Sequence, residues 1–456
     1  MHDAPSRQPP QVNYLLGSEV CERLSFHGMR SILTLYMVQA LLYDGRDATV
    51  RYHLFVTATC LTPLLGELLA DRFLGRYRAI LWISLCCVSG YALLGAWETR
   101  TGLLGGLALV AAGAGSMKPC LSAFVGDQLD SEHRGLLDRI HGGFQWVVHL
   151  GAATATLSIP WLLDRFGPAV ALAVPAVLMA GALAVFWVGR RGYVRAPPAG
   201  RDPHAFARVL ATAVRRLGTG RHADHWLDGA RARHPAGAVE GAKAVVRIAA
   251  VFAAATVFWA LFAQRGSTWV LQAKAMDLAV GPLRLSPSQL PALNPLLIML
   301  IIPLLDRGLF PLLERRHGPL PLLSRMTAGM FATVLSFAAA ALVQNAIDAG
   351  ATPSVLWQVP QYVLLTAGEV LVSVTALEFA YGQAPRAMRS TITSLWFLAV
   401  GLGNLLTATL AGLVPLRGAA YFWFFATLML LAAIAFAQVA RGYRRAPAAP
   451  GAPAAG

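Results

Sequence analysis

GSEVCERLSFHGMRSILTLYM, residues 17–37, sets three charges within about one helical turn, Glu19, Glu22 and Arg23, in an otherwise apolar segment. Carboxylates and guanidinium groups are costly in a bilayer interior, so a membrane helix that keeps them lines a water-filled path or an ion pathway. Glu19 and Glu22 are spaced i, i+3, and Arg23 stands at i+4 from Glu19, so the three share a helix face. There the arginine favours an ionised carboxylate and burial disfavours it. A purely structural ion pair is the plainer alternative, and its cost in the membrane argues against it.

The remainder of the chain reads as membrane too. Of 456 residues, 56% are hydrophobic and only 13% charged, and the mean hydropathy is +0.55, far more apolar than a soluble core needs. Windows of about 20 apolar residues recur from end to end. They predict twelve spans, near 14–42, 50–70, 79–97, 103–125, 140–163, 169–188, 246–271, 290–310, 320–342, 355–381, 390–413 and 419–439. The expected class is therefore an all-α membrane protein of about twelve transmembrane helices.

The net charge of +15 would suit a nucleic-acid partner, but its placement argues for topology instead. Arg190, Arg191, Arg195, Arg201, Arg208, Arg215, Arg216, Arg221, Arg231, Arg233, Lys243 and Arg247 cluster in or beside one central connection, and Arg441, Arg444 and Arg445 follow the last span. Alternate connections, around Asp44 and Asp47, Asp164 and Arg165, and Asp348, carry little positive excess. The positive-inside rule then puts both termini and the central connection in the cytoplasm. The polar start MHDAPSRQPP lacks the short apolar core of a secretory signal, so the first span is expected to remain as an anchor. Cys21, Cys60, Cys86, Cys87 and Cys120 all fall in apolar segments without CxxC or metal-ligand spacing, predicting thiols and neither disulfides nor zinc.

Residues 1–191 and 244–440 form two groups of six spans around a basic linker, 192–243, and 441–456 is a low-complexity tail expected to be disordered. The linker composition fits a basic surface helix on the membrane or a stretch without fixed structure. Two groups of six suggest a duplicated fold, in which substrate sits near the bilayer midplane between halves that expose it alternately. No clear sequence repeat accompanies them.

TPLLGELLADRFLGRYRAI, between spans two and three, resembles the loop signature of the major facilitator superfamily. Asp71 near one helix end faces Arg72, Arg76 and Arg78, which suits a latch between bundles. Longer matches follow in SEVCERLSFHGMRSIL, RYHLFVTATCLTPLLGELLADRFLGRYR, AGAGSMKPCLSAFVGDQ, FWALFAQRGSTWVLQA, LNPLLIMLIIPLLD and PQYVLLTAGEVLVSVTALEFAYGQAP. Together they resemble the proton-dependent oligopeptide transporter family, in spans one, two, four, seven, eight and ten; the linker and tail lie outside the resemblance.

That resemblance implies a carrier of the major facilitator fold in two six-helix bundles, with protons as the coupling ion and no other cofactor. It implies that Glu19 and Glu22 take up and release protons, that Arg23 modulates them, and that His53, of the Tyr52-His53 pair, relays protons. Lys118, one of three lysines and the only one deep in a span, needs a carboxylate partner. The resemblance implies that it exchanges a span-one glutamate for the substrate's carboxylate. A dipeptide zwitterion would lie between Arg30 and Lys118 at one end and Glu369 at the other. Asn294, Ser373 and His149 would add polar contacts, Trp259 and Trp396 apolar walls, and Asp71, Arg72 and Arg76 gating. GAGSMK superficially matches a phosphate loop, but no strand precedes it, and its glycines more simply permit close helix packing.

Several positions depart from the family pattern. Phe26 and His27 stand where a tyrosine pair is usual, Cys60 replaces a tyrosine, and His149 an asparagine. Ala263 replaces an acid that would pair Arg30, Arg265 adds charge nearby, and Glu67 replaces a glycine of the loop signature. These changes remove hydrogen-bonding groups from the expected pocket and add two imidazoles.

Import of di- and tripeptides by a monomer in the cytoplasmic (inner) membrane is therefore the leading expectation. Transport of a non-peptide anion or zwitterion, export, and ligand sensing are the alternatives. An enzyme reading rests only on His133 and Asp138, whose H-x-x-x-x-D spacing is common by chance.

Overall fold

The computed structural model describes residues 9–128, 134–197, 204–216, 225–385 and 388–445; the side chains of Glu67, Lys118, residues 134–145, His317 and 442–445 fall outside the description. The first six long helices are α1 (Pro10–Leu35), α2 (Gly45–Leu69), α3 (Arg76–Ala96), α4 (Arg100–Asp127), α5 (Arg134–Phe166) and α6 (Pro168–Val188). A short helix, α7 (Phe206–Arg215), and a 3-10 turn, Trp226–Ala232, occupy the linker. Then come α8 (Ala236–Phe262), α9 (Thr268–Lys274), α10 (Leu293–Leu304), α11 (Phe310–His317), α12 (Leu322–Asp348), α13 (Gln358–Glu369), α14 (Thr375–Gln383), α15 (Arg389–Leu413) and α16 (Gly418–Arg445).

Among the described residues, eleven helical stretches are long and apolar enough to cross a bilayer. The 26-residue α1 joins them as the twelfth, kept out of a pure hydropathy count by its charges. The element starts follow local chemistry. Thr99 caps α4, its hydroxyl accepting from Gly102 N at 3.1 Å. Gly167, at φ +84°, turns the chain into Pro168 at the first position of α6, where a missing N–H costs nothing. Helix α8 begins at Ala236, inside the range expected for the linker, and α16 runs through Arg445, five residues into the range expected for the tail; 446–456 lie outside the described residues.

Short π-helical segments interrupt the spans at Tyr36–Ala40, Ala70–Leu74, Leu305–Leu309 and Val370–Val374. Two of them are counterparts. Asp71-Arg72 lies in the π turn after α2, ahead of Gly75 at φ +74°, and Asp306-Arg307 lies in the π turn between α10 and α11, ahead of Gly318 at φ +77°. Each of the two halves thus carries an Asp-Arg step in a π turn with a positive-φ glycine after it.

Two separate apolar cores form, one from residues between Val12 and Tyr193 and the other from residues between Ile248 and Ala440. Lipid is as apolar as leucine, so close approach and inter-helix hydrogen bonds hold such bundles together. A Cβ on Gly115 of α4 would overlap Thr62 and the Thr59 carbonyl of α2, so the GAGSMK glycines serve packing. At the same crossing Thr62 Oγ1 donates to Ala111 O at 2.7 Å and Ser116 Oγ to Thr62 O at 2.8 Å.

Hydrogen bonds between the halves concentrate at the end away from the linker. Thr34 Oγ1 donates to Gly266 O at 2.7 Å, Thr57 Oγ1 to Gly401 O at 3.3 Å, and Gln289 Nε2 to Leu157 O at 2.8 Å. Arg46 Nε donates to Ala411 O at 2.7 Å, with a second arginine nitrogen on Gly412 O. At the linker end α4 and α14–α15 instead border a cavity of about 410 Å3, between Pro119, Ser122 and Ala123 on one side and Tyr381, Thr393 and Trp396 on the other. Among the described residues, the halves are hydrogen-bonded at the far end and border a cavity at the linker end.

Candidate functional site

Helix α1 places Glu19, Arg23, His27 and Arg30 on one stripe at i, i+4, i+8 and i+11, and all four line a cavity of about 230 Å3 between the halves. Glu22 does not. It is 1% exposed and lies inside the N-terminal half, where its carboxylate meets Arg23 Nε at 2.5 Å. Arg23 therefore links the cavity wall to a glutamate behind it.

Arg30 donates from Nε to Tyr52 Oη at 2.7 Å. His149 and Thr156 come from α5, and Arg265 and Gly266 from the turn between α8 and α9. Arg265 stacks its guanidinium on Phe262, 3.7 Å from the ring centroid. On the opposite wall Asn294 Nδ2 donates to Glu369 Oε2 at 2.7 Å and to Thr366 Oγ1 at 3.1 Å. These two bonds fix which way the amide points and hold the carboxylate in place.

A second cavity, of about 170 Å3, shares Arg23 and Arg30 with the first and continues past Phe26, Cys60, Trp259, Ala263 and Phe397. Trp259 packs edge-on against Trp396, with centroids 5.4 Å apart, and Trp396 against Phe252 at 5.0 Å.

The expected residues therefore divide. Glu19, Arg23, Arg30, His149, Asn294 and Glu369 meet at the first cavity, Trp259 lines the second, and Trp396 backs it and borders the linker-end opening. Ser373 lies in the π turn after α13, outside both cavities. His53 is fully buried in the far-end closure, with Nδ1 2.9 Å from Asn404 Oδ1 and Nε2 3.0 Å from Ser267 Oγ. Lys118 occupies α4, but its side chain is outside the described residues, as are the side chain of Glu67, that of Asp138, and His133.

Asp71 and Arg76 do meet, at 3.5 Å, and Arg76 also holds Asp127 at 2.5 Å. Both pairs lie within the N-terminal half, tying the α2–α3 turn to the end of α4 and bridging no boundary between the halves. Arg72 lies over Phe73, 5.1 Å from the ring centroid. Sequence reasoning gave Tyr52 no role beyond its pairing with His53, passed over Asn404, and treated Arg265 only as added charge. Arg265 did carry a usable signal, a lone guanidinium in the apolar run FWALFAQRGS.

The chain is similar to known proteins over most of its length. The family model described as POT family matches residues 77–424. Peptide transporter 3 of Caenorhabditis elegans is 34% identical over 75% of this chain and 51% of its own length. Solute carrier family 15 member 2 of Oryctolagus cuniculus is 34% identical over 76% and 50%. The chain thus spans about half the length of the curated relatives it matches. Among solved structures, the POT family transporter PepTSo superposes with a TM-score of 0.90 at 38% identity, covering 96% of this chain and 99% of the other. An auto inhibited POT family peptide transporter does so with 0.90 at 34%, covering 98% and 99%. A multi-pass helical membrane fold, a cavity walled by both of its halves, and matches that extend over most of the sequence lead to one conclusion: the chain belongs to the POT family.

Proposed function

We propose that this protein is a proton-coupled symporter that imports di- and tripeptides across the cytoplasmic (inner) membrane by alternating access. It works as a monomer with both termini and the linker in the cytoplasm. The observation that carries the reading is the charge layout of the central cavity. Arg23 and Arg30 of one half, with Arg265, offer partners for a carboxylate, and Glu369, steadied by Asn294, offers one for an ammonium group across the cavity. The names of the peptide-transporting relatives support the same substrate class.

The basic residues at the linker end support the orientation, which makes the far-end closure extracellular and the molecule inward-facing. The two rocking bodies are then 1–191 and 244–440. Glu19, on the cavity wall, is the acid positioned to exchange protons with the aqueous path, and Glu22, paired to Arg23, sets the field around it. Protonation releases Lys118 to the substrate carboxylate. The membrane potential adds about 2.3 kcal/mol per charge per 100 mV.

The test is uptake of labelled dialanine into liposomes holding the purified protein, with an inward proton gradient and a negative-inside potential, against a no-gradient control. Gradient-dependent accumulation is expected; its absence with folded protein overturns peptide import. Three guanidinium groups against two carboxylates on the cavity favour a non-peptide anion as the second reading, and competition of anions with dialanine separates the two.

A further inference from the structure

The far-end closure holds a further cavity, of about 360 Å3, that the transport reading does not use. One wall is the start of α2, with Asp44, Arg46 and Thr49; the others are α9, the end of α12 and the junction of α15 with α16. The cavity therefore lies between the halves, beside the bonds that join them. Arg46 commits Nε and one terminal nitrogen to Ala411 O and Gly412 O, and Ser267, just ahead of α9, meets His53 at 3.0 Å. It shares no lining residue with the central cavity.

The amides and the nearest acid on the C-terminal side are taken. Gln272 donates to Ala340 O at 2.9 Å and to Gln344 Oε1 at 3.2 Å, and its own oxygen accepts from Gln358 and Gln361 at 3.1 and 3.3 Å, which fills an amide's capacity. Gln344 donates to Asp348 Oδ1 at 2.9 Å, and Asp348 Oδ2 receives Ala419 N at 2.7 Å. Two charges of opposite sign remain. Asp44 of one half and Arg417 of the other both line the cavity, and both are exposed. Neither forms an ion pair among the described residues, which include every residue of the surrounding segments. Leu271, Ala275, Leu416 and Phe422 give the cavity apolar walls.

We propose that this cavity binds a small zwitterion with an apolar side chain, an amino acid or short peptide, its ammonium group on Asp44 and its carboxylate on Arg417. A guanidinium fork matches both oxygens of a carboxylate, and the aspartate complements an ammonium group. An exposed ion pair is weak alone, so the apolar walls, which gain from covering a side chain, supply the rest of the affinity. Because the walls belong to both halves, the ligand binds the closed far end better than an open one and clamps the halves together. The site stands whatever the central cavity carries.

The experiment measures binding of labelled L-leucine to the full chain in nanodiscs, with leucinamide and isocaproate, which each lack one charge, as competitors. Saturable binding is expected, weakened about tenfold or more in Asp44→Asn and in Arg417→Gln and unchanged in Glu369→Gln, with each competitor about tenfold or more weaker than leucine. Both substituted residues are exposed, so neither change threatens the fold. Ser31→Cys on the central cavity, in a chain without its native cysteines, reports the clamp. Leucine is expected to slow its modification by a reagent added at the far end, and to lose that effect in Arg417→Gln. No saturable binding, binding that either far-end substitution leaves intact, or a competitor as strong as leucine overturns the site. Binding that Glu369→Gln abolishes belongs to the central cavity and overturns it equally. Binding without slower modification overturns the clamp.

Discussion

His53 shows how a residue picked from sequence acquires a different setting in the fold. Asn404 Nδ2 donates to Val400 O at 2.9 Å, so Oδ1 faces the ring and His53 Nδ1 must carry the proton. Ser267 Oγ then donates to Nε2. If Nε2 is also protonated, the serine accepts and turns its hydrogen to Gln264 O, 3.4 Å away. One hydroxyl rotation accommodates both states without breaking the contact between the halves. His53→Ala leaves the buried Asn404 Oδ1 without its donor, at about 1–3 kcal/mol, and the closed far end bears that loss. In a chain stripped of its five native cysteines, a cysteine at Ser31 on the cavity wall is expected to react at least about tenfold faster with a reagent added at the far end. An unchanged rate would remove His53 from the closure. Sequence singled out His53 from its pairing with Tyr52, yet its partners lie more than 200 positions away, beyond any spacing argument. The glutamates divide for a local reason. At 100° per residue, positions i and i+3 differ by about 60°, enough to leave Glu19 on the cavity and send Glu22 inside.

Elements were more legible than contacts, because bilayer thickness dictates span length and apolar windows report it directly. Span seven is the instructive exception: α8 reaches back to Ala236 through AVEGAKAVVR, whose charges hid a good helix former from the hydropathy reading. The π turns stayed hidden because one extra residue per turn leaves no mark on composition. The paired Asp-Arg steps at 71–72 and 306–307 are too short a match to stand out without them. The linker, compatible on composition with a surface helix or with none, folds around six small apolar residues. Its stability should follow pH through His234. Burial, then His204, Arg208 and Arg233, hold that imidazole below its ordinary value. The unfolded linker therefore binds more protons between the two values, so stability is complete above about pH 6.5 and falls as pH drops. Asp228 and Glu240, each held low chiefly by a hydrogen bond from Lys243, add stability that is lost only below the usual carboxylate range, so between pH 7.5 and 5 the histidine dominates. Amide exchange of α7, corrected for intrinsic rates, is expected to rise over that interval in the native chain and to stay flat in His234→Gln; protection that grows on acidification would reverse the assignment.

Across the whole molecule, the hydrogen bonds between the halves gather at one end among the described residues, so the polar share of the balance between inward- and outward-facing forms rests on a few side chains. Arg46 supplies two of the bonds, onto Ala411 O and Gly412 O, and Thr34 supplies another, onto Gly266 O. Bonds from a charged donor are worth about 1.5–3 kcal/mol and neutral ones about 1. Removing both residues' contacts by Arg46→Ala/Thr34→Val should therefore shift the equilibrium by about 4 kcal/mol at the low end of these values, roughly a thousandfold, away from far-end closure. Spin labels report both ends at once. Leu42 and Trp357, 75% and 63% exposed, mark the far end of the two halves, and Phe73 and Leu312, 61% and 52% exposed, mark the linker end. In the double variant the first distance is expected to lengthen and the second to shorten together, because two bodies rocking about a central cavity cannot open one end without closing the other. Lengthening at the far end with no change at the linker end would mean local fraying of α2, and the two halves would then not move as bodies.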